Sequence, residues 1–429
     1  MKIRETLYRF LGAAIVSTLE IVRVPLFLYR RRKQIQQNEF LYLYYNHSFG
    51  HTVIQLDFLS RLYFPHRISV LWVVHPSTNP YMFDCFSQSI DVIPLPQILG
   101  KWSVAFTGTS ERIMRFYVHL IAGWSKRLHV IDRLTVYNTL SLAHNSLRFG
   151  NEESDKIELS HDHTGYCRLV ESGIGQAPVL PKLLLTRCQD AIRSHSSNFF
   201  DKPFVTLLLR EKGVGKGMIT KFRSAGPHQN YRNAVSWLTQ NGYHVVGTGE
   251  TRHEVFRDIP GYFSLENIDL PLSLLNVYLL SECRLFIGQM SGGYMLPSSR
   301  NILCLITDAL SHRLATFRRD NILLFKHLRQ RDTGKFLSLV DIYRDHRDLA
   351  LGYHFKKKNI DIVPNTPEEI LSAVQECIAI IEGKFTPTEE EKELIELFHQ
   401  FPFEGMHLKF LRNRTTLQTL RDLRQQGLL

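Results

Sequence analysis

The sequence lacks the short motifs that identify most nucleotide-binding enzymes. It has no GxxxxGK[ST] P-loop, and no GxGxxG that opens a helix with an acidic residue downstream. These absences argue against a standard NTPase or a dinucleotide-dependent enzyme. The six cysteines are scattered and form no CxxC pair, which favours a reducing cytosol over a disulfide framework or a zinc site. Cys283 and Cys304 lie in apolar runs and are predicted to be core thiols.

Acidic residues are also in deficit. The chain has 52 Lys and Arg against 41 Asp and Glu, a net charge of +11. This excess favours anionic partners such as nucleotides, anionic lipid, nucleic acid or acidic glycans. Nucleic acid fits least, because the chain has neither interleaved aromatic and basic strands nor a recognition-helix motif. At 429 residues, with 44% hydrophobic and 22% charged residues, the chain is long enough for two domains with a large core.

The amino-terminal segment has no long uninterrupted apolar run. Residues 1–33 repeat apolar side chains at helical spacing between two groups of basic residues. Glu20, Arg23 and Pro25 weaken a transmembrane span, and the absence of a small-residue cleavage site weakens a signal peptide. An amphipathic helix on an anionic inner leaflet fits best, and a helix packed on the protein's own body is the alternative. We expect a cytoplasmic protein, peripheral on the inner face of the plasma membrane.

The stretch from Arg284 to Asp308 has the most informative order of elements. Leu285–Ile287 predicts a buried strand, Ser291-Gly292-Gly293 a sharp turn with exposed N–H groups, and Ile302–Thr307 a second strand. A short helix is expected near Tyr294. The pattern is half of a doubly wound α/β unit, whose turn would lie at a ligand crevice. Free N–H groups at a helix start there suit a phosphate, and a plain βαβ turn is the alternative.

Three further loops are predicted at the same edge of the sheet. Arg210 follows the buried run Phe204–Leu209, where a guanidinium matches a phosphate bidentately, and an ion pair with Glu211 is the alternative. Two other polar groups follow predicted strands or precede a helix: Asn230, Tyr231, Arg232 and Asn233, and then Gly249 and Glu250. Polar, basic and glycine-rich loops that converge on a crevice suit a nucleotide diphosphate.

The first half contains a similar strand–loop–helix–strand unit between residues 40 and 74. His51 in its loop and Asp57 deeper in its helix are candidate catalytic residues. For His51 the alternative is a helix-start residue that satisfies nearby backbone groups. His161-Asp162-His163 resembles a metal cluster, but alternating residues on one loop rarely supply a complete site, so no metal is predicted. A polar linker at Ser196–Asn198 is the predicted domain boundary.

Four segments resemble, in the same order, motifs of a family of bacterial glycosyltransferases distantly related to the O-fucosyltransferases and heptosyltransferases. They are VTLLLREKG, NYRNA, NGYHVVGTGE and LFIGQMSGGYMLPSSRNILCLITD. Tyr231-Arg232-Asn233 and Ser291-Gly292 are the more specific matches, and NHSFGHTVIQLDF is similar to the family's early glycine-histidine loop. The resemblance covers most of residues 40–310. It departs at Leu208, where a histidine two residues before the arginine is common in these relatives.

The resemblance implies an α/β, GT-B-like fold with two Rossmann-like domains facing a cleft and C-terminal helices. Its segments would be a basic amphipathic segment 1–35, an acceptor domain 36–196, a donor-nucleotide domain 197–345 and a helical segment 346–429. The implied activity is transfer of a sugar from a nucleotide sugar, used as co-substrate without other cofactor, to a glycan or lipid-linked glycan acceptor of a capsule or lipopolysaccharide. A non-catalytic glycan-assembly or membrane-associated scaffold with a degenerate site is the alternative, and the missing histidine keeps it open.

The resemblance also implies roles for individual residues. Without a metal, the charge of the leaving diphosphate has to be offset by arginine and backbone N–H groups. The expected diphosphate ligands are Arg210, Arg232, Ser291, Gly292 and Gly293. Asn230, Tyr231, Asn233, Gly249 and Glu250 are expected at or near the nucleotide. The acceptor hydroxyl needs a general base, for which His51, Asp57 and Glu211 are the candidates.

Overall fold

The computed structural model describes residues 2–44, 49–75, 78–96, 107–124, 128–131, 173–210, 226–249, 254–289, 291–309, 321–338, 359–400, 414–425 and 427. These residues form two units. The first contains the described residues up to Ile131 and residues 173–181, and the second begins at Lys182. The second unit thus starts one helix before the predicted linker at Ser196–Asn198. That helix buries Cys188 and Ile192.

The first unit is built on a parallel sheet with the strand order β3-β2-β1-β4. Its described elements are α1 (Lys2–Arg30), α2 (Arg32–Ile35), β1 (Phe40–Tyr44), α3 (Phe49–Leu62), β2 (Ile68–Val73), α4 (Tyr81–Asp84), β3 (Ile90–Leu95), α5 (Thr107–Trp124) and β4 (His129–Ile131). Every residue of β2 is buried, as continuous apolar runs in parallel sheets predict. One apolar cluster joins α1 and α5 to these strands and includes Val24, Leu28, Leu71 and Met114.

The second unit has a six-stranded parallel sheet with the order β10-β9-β8-β5-β6-β7. Its first described elements are α6 (Lys182–His195), β5 (Phe204–Leu208), α7 (Arg232–Gln240), β6 (His244–Gly247), β7 (Tyr262–Phe263), α8 (Leu272–Glu282), β8 (Leu285–Gln289), α9 (Met295–Ser299), β9 (Cys304–Ala309) and β10 (Ile322–Phe325). Successive strands run outward from β5 in one direction and from β8 in the other. The strand order therefore reverses between β5 and β8, where doubly wound folds bind ligands.

The carboxyl-terminal part of the chain belongs to this second unit. It contains an antiparallel pair, β11 (His327–Gln330) with β12 (Ile360–Val363), and the helices α10 (Pro367–Ile381), α11 (Glu389–Gln400) and α12 (Leu417–Gln425). Thr366 caps α10 in a capping box with Glu369, and Pro367 occupies its first position, as a strong helix start requires. Buried residues of α10 join the apolar core of the second sheet.

Both units are therefore Rossmann-like, which confirms the predicted α/β class. The predicted helical amino terminus is confirmed as α1. Across the described part of the chain, none of the helices combines the length and the apolar character that crossing a bilayer requires. Cys283 and Cys304 are buried free thiols, as predicted, and burial raises the pKa of Cys283 to about 12.

Candidate functional site

The candidate site lies at the reversal of strand order in the second unit. β5 and β8 are neighbours there, paired from Val205–Leu285 to Leu208–Gly288. Just beyond this pairing, the backbone N–H of Arg210 donates to Oε1 of Gln289 at 2.7 Å. Gln289 is fully buried and Arg210 is half-buried. The main chain that carries the predicted diphosphate ligand is thus fixed by a side chain of the neighbouring strand.

A buried polar network continues from Gln289. Its Nε2 donates to the hydroxyl oxygen of Tyr231 at 3.1 Å, and that hydroxyl donates to Oδ2 of Asp308 at 3.0 Å. The hydroxyl of Thr307 lies 2.7 Å from that of Tyr231. Burial, reinforced by the charge of Asp308, raises the pKa of Tyr231 well above its ordinary value. Tyr231 therefore stays protonated near neutral pH and serves as a donor.

Asp308 connects three parts of the chain. Asp308 has a left-handed backbone conformation (φ 51°), and the residue is only 1% exposed. Besides Tyr231, the carboxylate accepts the N–H of Gly226 at 2.9 Å and the N–H of Asn365 at 3.0 Å. A buried carboxylate requires such donors, since an unsatisfied one costs several kcal/mol. Lys326 is also buried nearby; burial lowers its pKa, and the charge of Asp308 acts in the opposite direction.

Asn365 returns the interaction. Its side-chain Oδ1 accepts the N–H of Asp308 at 2.6 Å, and its Nδ2 donates to the carbonyl oxygen of Phe325 at 2.6 Å. The side chain of Asn230 donates to the carbonyl oxygen of Asn365 at 2.8 Å. Asn230 and Tyr231, both predicted near the nucleotide, are therefore held at the edge of the sheet by hydrogen bonds to Asn365 and Asp308.

The predicted glycine turn is present after β8. Ser291 caps a short 3₁₀ helix, Gly292–Tyr294, and its Oγ accepts the N–H of Gly293 at 3.3 Å. Ser291 and Gly292 are half-buried at the edge. The helix α9 that follows has only five residues, so its macrodipole contributes less than a full helix would. The short helix α9 therefore adds little positive potential at this edge.

Leu208 packs between two glycine loops. A Cβ added to Gly293 would overlap Cδ2 of Leu208, and one added to Gly249 would lie 2.7 Å from its Cδ1. Gly249 also has a left-handed φ of 99°, which favours glycine. At the position where the resembling proteins commonly carry histidine, this chain therefore has a side chain that fixes the loops after β6 and β8 against β5.

Other predicted ligands have different surroundings. The guanidinium of Arg232 forms a two-pronged ion pair with Asp258 and donates to the carbonyl oxygen of Val255. The structure therefore does not bring Arg232 into the network around Gln289. Asn233 is exposed on α7. The N–H of Gly249 donates to Oδ1 of Asn276 at 3.2 Å.

Of the general-base candidates, Asp57 is fully buried in α3. Its Oδ2 accepts from Nε of Arg61 at 3.0 Å, and Arg61 also donates to the carbonyl oxygen of Ile174 at 3.1 Å. This pairing gives Asp57 a structural role in the first unit. His51 lies in the first turn of α3. Glu211, Glu250 and the His161–His163 cluster lie outside the described residues.

The residues that sequence reasoning missed are Gln289, Thr307, Asp308 and Asn365. They lie within or beside apolar strands, or far along the chain, and their partners are distant in sequence. One signal was available: Asp308 ends the apolar run ILCLITD, and a charged residue at the end of a buried strand needs a partner. In the described part of the chain, no group of three or more His, Cys, Asp or Glu residues is placed to hold a metal ion.

Fold and site together define a protein with two Rossmann-like α/β units, the second of which presents an arginine and a glycine turn above a buried polar network. Solved structures similar to this chain include the glycosyl transferase family 9 protein of Veillonella parvula, at 12% identity, covering 80% of this chain and 97% of its own, with a TM-score of 0.47. ADP-heptose LPS heptosyltransferase II of E. coli is similar at 15% identity, with 80% of this chain and 99% of that chain covered and a TM-score of 0.43. UDP-GlcNAc 2-epimerase of Neisseria meningitidis, bound to UDP-GlcNAc, is similar at 13% identity, with 81% of this chain and 100% of that chain covered and a TM-score of 0.33.

No family model matches the sequence, and no curated protein matches it significantly.

Proposed function

We propose that the protein is a glycosyltransferase that transfers a sugar from a nucleotide sugar to a surface-glycan acceptor. The observation that carries the proposal is the placement of Arg210 and the Ser291–Gly293 turn at the reversal of strand order, joined through Gln289. An arginine fork and backbone N–H groups at such a crevice match the charge and geometry of a diphosphate. The motif resemblance supports the same reading.

The proposed chemistry needs charge stabilisation at the leaving group. The acceptor hydroxyl oxygen bonds to the anomeric carbon, and the bond from that carbon to the diphosphate oxygen breaks. The electron pair leaves with the nucleoside diphosphate, where Arg210 and the N–H groups of the turn offset the developing charge. The hydroxyl proton passes to a general base, for which His51 and Glu211 remain the candidates. We assign Asp57 to its buried ion pair with Arg61.

Gln289 has a positioning role in this proposal. Its side chain accepts from the N–H of Arg210 and is itself fixed by Tyr231, so the main chain at Arg210 is set before the donor binds. Preorganised donors cost no rearrangement during the reaction. We propose that this arrangement performs, without a bound metal, the charge neutralisation for which other transferases use a divalent cation.

We further propose an acceptor from a capsule or lipopolysaccharide pathway, either a glycan or a lipid-linked glycan, and a location on the inner face of the plasma membrane. Nucleotide sugars are cytosolic co-substrates in this scheme, and the scattered thiols suit a reducing compartment. A lipid-linked acceptor would require the enzyme to work at the membrane surface.

Thermal-shift screening of ADP-, GDP-, UDP- and CDP-linked sugars tests donor binding, and release of the free nucleoside diphosphate in the presence of cell-envelope extract tests transfer. One nucleotide class is expected to raise the melting temperature and to be consumed only with extract. EDTA is expected to leave the rate unchanged. If no nucleotide sugar in the panel raises the melting temperature, the transferase proposal fails.

The alternative is a non-catalytic scaffold with a degenerate site, and Leu208 in place of the relatives' histidine is what favours it. This reading predicts that a nucleotide sugar binds but that no diphosphate is released with any envelope fraction. In an active transferase, we expect Leu208→His to disturb the packing against Gly249 and Gly293 and to lower the rate.

A further inference from the structure

The outward face of α1 is apolar along most of its length. Between residues 11 and 29, the exposed positions are Leu11, Ala14, Ile15, Thr18, Leu19, Ile21, Val22, Leu26 and Tyr29, with Val22 71% exposed. None of them is charged. The opposite face, which includes Val16, Val24 and Leu28, is buried in the first unit. A surface helix of a soluble protein normally has the reverse pattern, with polar residues outside.

The two charges that interrupt this segment in sequence point toward the protein. Glu20 is 1% exposed and accepts from Arg23 at 2.7 and 2.8 Å and from the hydroxyl of Ser110, on α5, at 2.8 Å. Arg23 also donates to the carbonyl oxygen of Pro96. Because these groups satisfy each other inside the unit, they leave the outward face free of charge. Glu20 and Arg23 therefore disfavour a transmembrane span but do not disfavour contact between this face and a membrane surface.

Exposed apolar side chains are concentrated on α1 and on the helix packed against it. Of the 15 large hydrophobic residues that are exposed in the described part of the chain, seven lie on α1 and two, Phe116 and Leu120, on α5. The hydroxyl of Tyr117 donates to the carbonyl oxygen of Ile21 at 3.1 Å and ties the helices together. Single apolar residues scattered over a surface are normal, whereas a concentrated apolar surface of this kind marks an interaction site.

Basic residues adjoin the carboxyl end of this face. Arg30, Arg31, Arg32 and Lys33 are all exposed, and the guanidinium of Arg32 lies 4.3 Å from the ring centre of Tyr29. An apolar helix face bordered by a tyrosine and by arginines and lysines matches the boundary between acyl chains and anionic headgroups. At 29 residues, α1 is about 43 Å long.

We propose that the outward face of α1 lies in the surface of an anionic lipid bilayer, parallel to its plane, and holds the first unit there. This inference rests on the first unit alone and is independent of the proposed reaction. A second copy of the chain is the competing occupant. It fits less well, because the sequence of α1 is basic at both ends (Lys2, Arg4 and Arg9, then Arg30). Pairing of two α1 helices would therefore place like charges together in either orientation.

The test is flotation of the full chain with vesicles of phosphatidylcholine alone or mixed with phosphatidylglycerol. We expect binding to the mixed vesicles that weakens with salt. The double variant Ile15→Glu/Val22→Glu places two carboxylates on the face and is expected to reduce partitioning about 100-fold or more. The triple variant Arg31→Gln/Arg32→Gln/Lys33→Gln is expected to reduce it about fivefold per charge removed, on anionic vesicles only. Leu183→Glu, at a site that is 81% exposed on α6, is the matched control and should bind like the wild type.

Two further measurements make the result decisive. Circular dichroism melting of the α1 variants should match that of the wild type, which shows that any loss of partitioning is not a loss of fold. The proposal is overturned if the wild type does not float with anionic vesicles, or if the double variant floats as well as the wild type. It is also overturned if light scattering shows a dimer that Ile15→Glu/Val22→Glu converts to monomer while vesicle binding is absent.

Discussion

The backbone N–H of Arg210 lies 2.7 Å from Oε1 of Gln289, across the point where the strand order of the second sheet reverses. The side chain of Gln289, at the end of β8, thus fixes the main chain that follows the neighbouring strand β5. Because Gln289 is in turn bound to Tyr231, and Tyr231 to Asp308, the conformation at Arg210 depends on buried residues from two other segments of the chain.

Replacement Arg210→Ala should abolish most donor binding without loss of fold. The network uses the backbone N–H of Arg210, which alanine retains, whereas the guanidinium is the proposed diphosphate ligand. We expect kcat/KM to fall about 100-fold or more, the range seen when one donor to a developing negative charge is removed. Initial rates and calorimetric nucleotide affinity measure this. Full transfer activity in the variant would remove Arg210 from the site.

Arg232→Ala is the matched control for Arg210→Ala. Its guanidinium is paired with Asp258, so we expect donor affinity to change little. The hydrogen bonds that Arg232 donates to the Asp258 carboxylate raise the pKa of Arg232, which is therefore charged at every accessible pH. A loss of affinity as large as that of Arg210→Ala would show that Arg232 leaves Asp258 to bind the donor, as the sequence predicts.

Tyr231→Phe should destabilise the second unit and loosen the site. The variant removes a donor from the Asp308 carboxylate and leaves the amide of Gln289 without its partner, at a cost of about 1–3 kcal/mol. Because the folded-state pKa of Tyr231 is raised, its contribution is present below the ordinary tyrosine value of 10.0 and is lost as the pH rises above that. Urea unfolding at pH 8 and above pH 10 should show a smaller difference between the two proteins at the higher pH. An equal difference at both would contradict the assignment.

Gly293→Ala should weaken donor binding because its Cβ would overlap Leu208. Either the turn or the end of the Leu208 side chain has to move, so we expect a several-fold rise in the dissociation constant rather than complete loss. The double variant Leu208→Ala/Gly293→Ala removes the obstruction and should bind more tightly than Gly293→Ala alone. If the second substitution gives no recovery, the loss in Gly293→Ala has another cause.

The pair His327–Glu369 should make stability depend on pH. Nε2 of His327 lies 2.6 Å from Oε1 of Glu369, and this hydrogen bond raises the pKa of His327. Burial pushes the pKa of Glu369 upward, but the His327 hydrogen bond and that from the Thr366 backbone outweigh it, so the net shift is downward. The pair is therefore most stabilising between the ordinary values of 4.5 and 6.5, and its contribution is lost as the pH rises through the raised pKa of His327.

His327→Gln checks this pair. The imidazole is 41% exposed, so solvent screening limits the effect to roughly 0.5 kcal/mol. Thermal unfolding at pH 5.5 and at pH 9 should show a wild-type advantage that is larger at the lower pH. An advantage that grows with pH would have the wrong sign.

The sequence predicts the strands, the glycine turn and the edge they share because these depend on local patterns. Leu285–Ile287 and Ile302–Thr307 coincide with β8 and β9 to within two residues, and Arg210, Gly249 and Ser291 follow parallel strands as expected. The network could not be predicted in the same way. Asp308 and Asn365 are 57 residues apart, and neither belongs to a motif that names the other. The outward face of α1 is apolar only because Glu20 points toward the protein, and tertiary packing decides that orientation.

The reciprocal bonds between Asp308 and Asn365 have a consequence for the order in which the protein is made. All six strands of the second sheet have been synthesised by Phe325, but the carboxylate of Asp308 still lacks the N–H of Asn365, 57 residues further on. Arg414, whose carbonyl accepts the N–H of Leu323, arrives later still. The edge that would bind the donor can therefore be completed only after residue 365 leaves the ribosome. A nascent chain whose synthesis stops just after Phe325 should contain the six strands but no complete site.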